Sequence, residues 1–372
     1  MKRYPFLDLA TVNAPYMDAL REAADRVLCS GRYIGGSEVE ALERWLCSYA
    51  GIGYAVGVST GLDALRLILE GYKVLGRLSE GDEVIVPGNT YVASVLAISQ
   101  AGLRPVLVDP DETTMNLSGA SIRNALTEKT KAVMPVHLYG RVAWDEETST
   151  LVREHGLIVV EDAAQAIGAE GIGRVGDAAA ISFYPTKNLG ALGDGGAIVT
   201  DDCELAKAVR ALANYGSDRR YHNIYKGFNC RLDPIQAALI MAKNHDLDLA
   251  NGRRRERAKL YSTLIDNALI RTPEMPADEL SHVWHQYVVR VADALRDEFR
   301  QFLLDNGVET DIHYAVPPHR QPCYYNELSE FRLPTTERLA DEIVSLPISD
   351  CTSLSDIAEI CDIINRFRQS GL

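Results

Sequence analysis

Short apolar runs alternate with helix-like segments between residues 54 and 200. The runs lie at 54–58, 83–86, 105–108, 132–136, 157–160, 178–182 and 197–200. Segments 62–75 and 118–126, which lie between them, carry apolar residues at helical spacing. Because the runs lack strict apolar–polar alternation, they predict an α/β fold with a mostly parallel, seven-stranded sheet covered on both faces. Ligands of such sheets bind beyond the carboxyl ends of the strands, so functional residues are expected there.

The second half of the chain has a different pattern. Segment 231–267 is long and helical, and after about residue 280 come a strand-like segment, 284–291, and helix-like segments 296–306 and 356–367. A length of 372 residues also favours two lobes. We therefore predict a large domain over residues 1–245, and a linker helix with a smaller C-terminal α/β domain over residues 246–372. The basic cluster at 253–257 is interpreted as a solvated or ion-paired helix face.

Charge and composition exclude several function classes. The net charge of −14 and pI of 5.1 argue against nucleic acid or an anionic membrane as a partner. The amino terminus does not resemble a signal peptide, and no apolar segment has the length to span a bilayer, so a cytoplasmic location is expected. The seven cysteines are too far apart for a zinc or redox motif and are expected to be reduced, buried side chains; no metal site is predicted.

Asp162 follows directly on the apolar run 157–160. A carboxylate at the end of a buried strand is costly to desolvate unless a cation or a hydrogen-bond donor meets it. Three roles fit this position: a metal ligand, a helix cap, or a partner for a protonated ring nitrogen.

Lys187 lies in a glycine-rich segment between two predicted strands and is the only lysine between Lys131 and Lys207. Desolvation or nearby positive charge lowers the pKa of such an amine and makes it a nucleophile that forms imines with carbonyls. Most isolated lysines are simply exposed to solvent, but Asp162 offers the second half of a pyridoxal phosphate site. A carboxylate keeps the pyridine nitrogen protonated, and the lysine can then move protons as a general acid and base.

A phosphate and a flat ring would need further partners. Residues 59–65, which include Gly61 and Leu62, follow a strand and open a helix, whose free amides and dipole favour an anion. Ser182 can add a hydroxyl, and Tyr91 follows another strand, where an aromatic side chain could stack on the ring. Each of these residues has an alternative interpretation as scaffold.

Two segments resemble the nucleotide-sugar aminotransferases of the DegT/DnrJ/StrS family. They are Glu-Asp-Ala-Ala-Gln-Ala at 161–166 and Ser-Phe-Tyr-Pro-Thr-Lys-Asn-Leu-Gly at 182–190, and the likeness extends from about residue 7 to 348. The resemblance implies a fold-type I aminotransferase that binds pyridoxal 5′-phosphate and forms a homodimer with shared active sites.

The resemblance also implies roles for single residues. Lys187 is similar to the lysine that carries the cofactor as a Schiff base, Asp162 to the partner of the pyridine nitrogen, and Gln165 to the residue facing the ring hydroxyl. Tyr91 is similar to the stacking aromatic, whereas Gly61, Leu62 and Ser182 match the phosphate cradle. Many relatives have threonine where this chain has Leu62, so only a backbone amide can serve there. Asn229 resembles the asparagine that reaches a phosphate across the dimer.

Within the family, residues 61–65, 189–196 and 312–321 resemble the branch that aminates carbon 3 of a dTDP-linked keto-6-deoxyhexose. This branch implies L-glutamate as amino donor and a dTDP-3-amino-3,6-dideoxyhexose as product, for a polysaccharide or glycoconjugate. The candidates to hold the sugar or pyrophosphate are Tyr33, Tyr184, Tyr221, His313, Tyr314 and His319. Each is alternatively a core aromatic or a helix cap.

Two other functions are compatible with parts of this pattern. A 4-aminotransferase acting on a dTDP- or UDP-linked 4-keto-6-deoxyhexose would use the same cofactor. A regulator that binds the cofactor without catalysis is disfavoured, because such regulators carry an added DNA-binding domain and the charge here is acidic.

Overall fold

The computed structural model describes residues 2–292 and 294–368. The helices are α1 (Leu9–Asn13), α2 (Met17–Ser30), α3 (Ser37–Ala50), α4 (Gly61–Val74), α5 (Val92–Gln100), α6 (Gly119–Ala125), α7 (Glu146–His155), α8 (Cys203–Ala213), α9 (Pro234–Met241), α10 (Leu247–Leu264), α11 (Arg296–Asp305), α12 (Tyr325–Leu328), α13 (Pro334–Glu342) and α14 (Leu354–Ile364). The strands are β1 (Tyr54–Val58), β2 (Glu83–Pro87), β3 (Arg104–Val108), β4 (Thr130–Val133), β5 (Ile158–Asp162), β6 (Ala178–Ser182), β7 (Gly196–Thr200), β8 (Ser217–Arg219), β9 (His222–Asn223), β10 (Ile270–Arg271), β11 (Tyr287–Val291) and β12 (Ile343–Leu346).

Seven strands form the large sheet in the order β1-β7-β6-β5-β4-β2-β3. Strand β7 runs antiparallel to both of its neighbours, and the other pairs are parallel. Successive residues of β6 enter two different cores: Ala178 and Ala180 pack on one face, Ala179 and Ile181 on the other. Burial on both faces explains why the strand sequences do not alternate, and it confirms the predicted α/β sheet.

The end of β6 touches the start of α4. A Cβ on Gly61 would lie 2.8 Å from the Cβ of Ser182, and one on Gly196 would lie 2.4 Å from the carbonyl of Thr60. Only glycine permits these approaches. They bring the amino terminus of α4 against the carboxyl end of β6 and the start of β7.

A smaller antiparallel sheet, in the order β10-β11-β12, forms the core of the C-terminal part together with α11 and α14. The first residues of the chain pack here. The amide of Tyr4 donates to the carbonyl of Gly307 at 2.8 Å, and Tyr4 is buried in the same apolar cluster. The predicted division after residue 245 stays a prediction, and the structure adds that residues 2–6 lie against the C-terminal part.

The basic cluster on α10 differs from its interpretation as a solvated face. Arg254 and Arg257 are buried, at 5% and 7% exposure, while Arg253 is exposed. The guanidinium of Arg254 donates to three backbone carbonyls, those of Trp284, His285 and Ile348, at 3.1–3.4 Å. The expectation was wrong for these two residues, because a guanidinium with five donors can be buried when carbonyls satisfy it.

Two further expectations have an outcome in the structure. All seven cysteines are free, although Cys29, Cys323 and Cys351 are exposed rather than buried. Among the helices described, none combines the length and apolar composition that crossing a membrane requires.

Candidate active site

A cavity of about 390 Å³ opens at the carboxyl end of the large sheet. Its walls come from the end of β5, the segment after β6, the start of α4 and two segments of the C-terminal part, 285–286 and 313–314. A volume of 300–1,000 Å³ is typical of sites for small ligands. The cavity therefore lies where the sheet topology predicts a ligand.

Asp162 ends β5 and is buried in the wall of this cavity. The hydroxyl of Ser94 donates to its Oδ2 at 2.7 Å, and the amide of Ala164 donates to its Oδ1 at 3.1 Å. Ser94 in turn pairs with the hydroxyl of Thr90 at 2.8 Å. Each carboxylate oxygen thus has one donor and keeps a lone pair for a further, cationic donor.

Lys187 lies in the turn that follows β6, and its amide donates to the carbonyl of Tyr184 at 2.8 Å. Within the described part of the chain, its Nζ makes no hydrogen bond or ion pair. Desolvation lowers the pKa of Lys187 from 10.5 to about 8, although the charge of Asp162 opposes this. The structure thus has a reactive amine and a buried carboxylate in one cavity without a direct bond between them.

The amino terminus of α4 forms another wall. Thr60 caps the helix by accepting from the amide of Asp63 at 2.9 Å, which leaves the amides of Gly61 and Leu62 without helical partners. Ser182 lies beside Gly61 and lines the same cavity. Free amides, a helix dipole and a hydroxyl together suit a phosphate group.

Gln165 lies between two tyrosines. Its Oε1 accepts from the backbone amide of Tyr139 at 2.6 Å, and its Nε2 donates to the hydroxyl of Tyr314 at 3.0 Å. Since the backbone amide can only donate, the side-chain amide of Gln165 has its NH₂ turned towards the cavity. Half-exposed Tyr91 faces Tyr314, with ring centroids 5.1 Å apart. A flat ligand can lie against Tyr91 while Gln165 donates to one of its substituents.

The structure brings most, but not all, of the predicted residues together. Tyr184, His313 and Tyr314 line the cavity with the residues above. Burial lowers the pKa of His313, whose Nδ1 lies 2.7 Å from the hydroxyl of Ser345. Within the described residues, the predicted ones that do not line the cavity are Tyr33, Tyr221, Asn229 and His319.

These four residues differ in exposure. Tyr33, Tyr221 and Asn229 are exposed on the surface. His319 is buried, and its Nε2 lies 3.0 Å from Glu337. His319 is therefore a side chain of the protein core, which was one of its alternative interpretations.

Sequence reasoning missed His285 and Asn188. His285 lines the cavity, and its Nδ1 lies 3.0 Å from Oδ1 of Asn188, the residue after the reactive lysine. Within the apolar run 284–291, the pair His285-Gln286 was the available signal, because two polar residues are unexpected in a buried strand.

A second cavity of about 440 Å³ lies at the opposite end of the strands, beside the amino ends of β5 and β6. Its two arginines already have partners: Arg77 bonds Asp202 and Glu204, and Arg174 donates to the carbonyl of Ala50 at 2.9 Å. Among the described residues, no group of three or more His, Cys, Asp and Glu side chains is arranged to hold a metal ion. We therefore assign the chemistry to the cavity that holds Lys187.

The chain is similar to known aminotransferases along nearly its whole length. A model of the DegT/DnrJ/EryC1/StrS aminotransferase family matches residues 17–365. The dTDP-3-amino-3,6-dideoxy-alpha-D-galactopyranose transaminase of Aneurinibacillus thermoaerophilus is 46% identical over 367 residues, which cover 98% of this chain and 99% of that protein.

Two solved structures are similar along nearly the whole chain. DesV of S. venezuelae, in complex with a ketimine intermediate, superposes with a TM-score of 0.92 at 43% identity, covering 98% of both chains. NtdA of Bacillus subtilis, with bound cofactor PMP, has a TM-score of 0.91 at 30% identity, covering 98% of this chain and 86% of the other.

Proposed function

Because the chain belongs to the DegT/DnrJ/EryC1/StrS aminotransferase family, we propose that it moves an amino group from L-glutamate to C3 of a dTDP-linked 3-keto-6-deoxyhexose. The product is a dTDP-3-amino-3,6-dideoxyhexose for a polysaccharide or glycoconjugate. The observation that carries the proposal is the pairing of an amine of lowered pKa, Lys187, with buried Asp162 in one cavity. The activity of the relative from A. thermoaerophilus supports the choice of C3 and of the sugar.

The cofactor of the proposed reaction is pyridoxal 5′-phosphate, and the residues present fit it. When bound, this group withdraws electrons from the carbon that loses a proton. Lys187 would hold its aldehyde end, Asp162 its ring nitrogen and Gln165 its ring hydroxyl. Gly61, Leu62 and Ser182 would hold its phosphate, while Tyr91 would cover one face of its ring. The cofactor of NtdA supports this assignment.

The chain's own residues divide the proton chemistry between them. Asp162, held by Ser94 and the amide of Ala164, keeps a positive charge on the nitrogen opposite it. Lys187 carries a proton between two carbons, and its lowered pKa suits both acceptance and release near neutral pH.

Substrate binding is proposed to involve residues of both parts of the chain. Tyr184, His313 and Tyr314 lie at the cavity and are proposed to hold the sugar. For Tyr33, Tyr221 and Asn229, which are exposed, we propose contacts with the cavity of a second copy in a homodimer. His319 is not retained as a substrate-binding residue, because it is buried against Glu337. The proposed location is the cytoplasm.

Amination of a keto sugar tests the proposal directly. We would supply L-glutamate with matched dTDP-3-keto- and dTDP-4-keto-6-deoxyhexoses, in both C4 configurations, and locate the new nitrogen by NMR. Nitrogen is expected at C3, and the Lys187→Ala variant is expected to lose at least about 1,000-fold in rate. Nitrogen at C4 would establish the 4-aminotransferase alternative, and full activity of Lys187→Ala would refute the proposed chemistry.

A further inference from the structure

The amino-terminal segment of the chain reaches the cavity that holds Lys187 through one aromatic side chain. The ring of Phe6 lies against the imidazole of His313, with the ring centroids 5.8 Å apart and the planes inclined by 28°. Of these two described side chains, His313 lines the cavity and Phe6 does not. A residue from the start of the chain therefore supports a wall residue of the site.

The segment that carries Phe6 is anchored on both sides of this residue. Before it, Tyr4 is buried, and its carbonyl accepts from the amide of Glu309 at 3.0 Å. After it, Asn13 at the end of α1 accepts from Nζ of Lys243 at 3.0 Å. The amide of Phe6 itself donates to the carboxylate of Glu309 at 3.3 Å. The position of the Phe6 ring is thus set by backbone that is tied to both parts of the chain.

Two hydrogen bonds also hold His313. The hydroxyl of Tyr139 donates to its backbone carbonyl at 2.5 Å, and its Nδ1 lies 2.7 Å from the hydroxyl of Ser345. The carboxylate of Asp311 is 3.8 Å from Nε2, too far for a hydrogen bond, so Nε2 is the nitrogen left for a ligand. A single bond at Nδ1 allows the ring to tilt, and the stacked ring of Phe6 restricts that tilt.

We propose that Phe6 is a positioning residue for the acceptor sugar. By stacking on His313, it holds the imidazole at the angle at which Nε2 bonds an oxygen atom of the sugar. This inference rests on the function proposed above, in which His313 contacts the sugar. Phe6 is only partly buried, so a role in packing alone would give its loss a small effect on folding and no selective effect on sugar binding.

Two substitutions separate the flat ring of Phe6 from its apolar bulk. Phe6→Leu keeps much of the volume and loses the ring face, whereas Phe6→Tyr keeps the ring. We would measure KM for the dTDP-linked 3-keto sugar and for L-glutamate. In Phe6→Leu the KM for the sugar should rise roughly 2- to 10-fold, the range expected from the loss of one stacked aromatic pair. The KM for glutamate should stay near wild type, and Phe6→Tyr should retain both values.

A double-mutant cycle tests whether Phe6 acts through His313. His313→Ala should raise the KM for the sugar, and the addition of Phe6→Leu to this variant should raise it no further. Arg3→Ala, at an exposed position of the same segment, is the control and should behave like wild type. Thermal unfolding checks that every variant is folded. Independent effects of the two substitutions, or an equal rise in KM for both substrates, would overturn the proposal.

The stack can also be observed without sugar. The chain has eight histidines, and ¹³C labelling of their rings allows each to be titrated by NMR; the signal of His313 is the one missing from His313→Ala. Burial lowers the pKa of His313, so removal of the covering ring in Phe6→Ala should move its titration midpoint to higher pH. The other groups that face His313 are unchanged in this variant, namely Asp311, Lys187, His285, Tyr139 and Tyr314.

The two measurements distinguish a failure of this inference from a failure of the proposed function. An unchanged midpoint in Phe6→Ala would overturn the positioning role, whatever the substrate is. If the wild-type protein aminated no dTDP-linked 3-keto sugar, the proposed function would fail, and the NMR titration would still decide whether Phe6 holds His313.

Discussion

Gly61 is held so closely against Ser182 that the first turn of α4 has no room for another atom. In Gly61→Ala the new Cβ, 2.8 Å from that of Ser182, must push the helix start away from β6. The displaced amides would hold the phosphate less well, and we expect the dissociation constant for pyridoxal phosphate to rise at least about tenfold. Titration by absorbance measures it.

Gly252 provides the matched control for this substitution. It lies inside helix α10, and a Cβ there meets no atom within 4 Å. Gly252→Ala should leave cofactor affinity unchanged and increase the free energy of unfolding by up to about 1 kcal/mol. If both alanine variants bound the cofactor like wild type, the cradle at Gly61 would be refuted.

The lowered pKa of Lys187 determines how cofactor uptake depends on pH. Only the neutral amine attacks an aldehyde, and its fraction increases as the pH rises through about 8. The rate of uptake by the cofactor-free protein should therefore rise up to about pH 8 and then level off. An ordinary lysine would give a rate that rises to about pH 10.5. Stopped-flow absorbance measures this profile.

Asp162→Asn tests the direction in which Asp162 shifts the pKa of Lys187. The carboxylate of Asp162 favours the charged lysine, so its removal should shift the profile of uptake to lower pH. A shift to higher pH would mean that another group controls the amine.

At the scale of elements, Arg254 joins α10 to two segments of the C-terminal part. Its guanidinium satisfies the carbonyls of Trp284, His285 and Ile348. In Arg254→Met these buried acceptors lose their donor, and the free energy of unfolding should fall by about 3 kcal/mol or more. Urea unfolding measures the change, and Arg253→Met, on the exposed face of the same helix, should stay within about 0.5 kcal/mol of wild type.

The sequence predicted the strands better than their directions. Residues 178–182 and 197–200 are apolar because both faces of the sheet are covered, and that pattern is the same whichever way a strand runs. The antiparallel course of β7 depends on the glycine-rich connection from β6, whose conformation an apolar pattern does not specify. Similarly, segment 231–267 was predicted as one helical region, but it forms two helices: α9 ends at Met241 and α10 begins at Leu247. The residues between them include Asn244 and Asp246, whose side chains compete for backbone hydrogen bonds and so disfavour a continuous helix.

At the scale of the whole molecule, a shared active site can be tested by mixing two inactive proteins. Lys187→Ala lacks the amine, and Asn229→Ala would lack a phosphate donor supplied to the partner. Mixed dimers would contain one site with both residues intact. Equal mixing after mild dissociation should restore roughly a quarter of wild-type activity, since half of the dimers are mixed and half of their sites are complete.

Two outcomes would argue against the shared site. If Asn229 served its own subunit, each mixed dimer would have two incomplete sites and mixing would restore nothing. Sedimentation of the wild-type protein as a monomer would refute the dimer itself.

The candidate site was predictable where a residue's role is visible in its immediate sequence neighbours. Asp162 directly follows an apolar strand, and Lys187 lies in a glycine-rich connection between two strands. Asn251 and His285 are far apart in the sequence, and only folding brings them to Asn188. His319 shows the converse, because this histidine beside a motif is buried, with its Nε2 3.0 Å from the carboxylate of Glu337, which lies 18 residues further along the chain.

The first turn of α5 carries residues that serve two of the proposed functions. Tyr91 is the cap residue of this helix, and Ser94, three residues later, bonds the carboxylate of Asp162. A movement of this turn would therefore change both the position of Tyr91 against the cofactor ring and the hydrogen bond that holds Asp162 opposite the ring nitrogen. A deaza analogue of the cofactor, in which carbon replaces the pyridine nitrogen, should for the same reason still bind against Tyr91. It would leave Asp162 without a cationic partner, so it should occupy the site and inhibit without supporting catalysis.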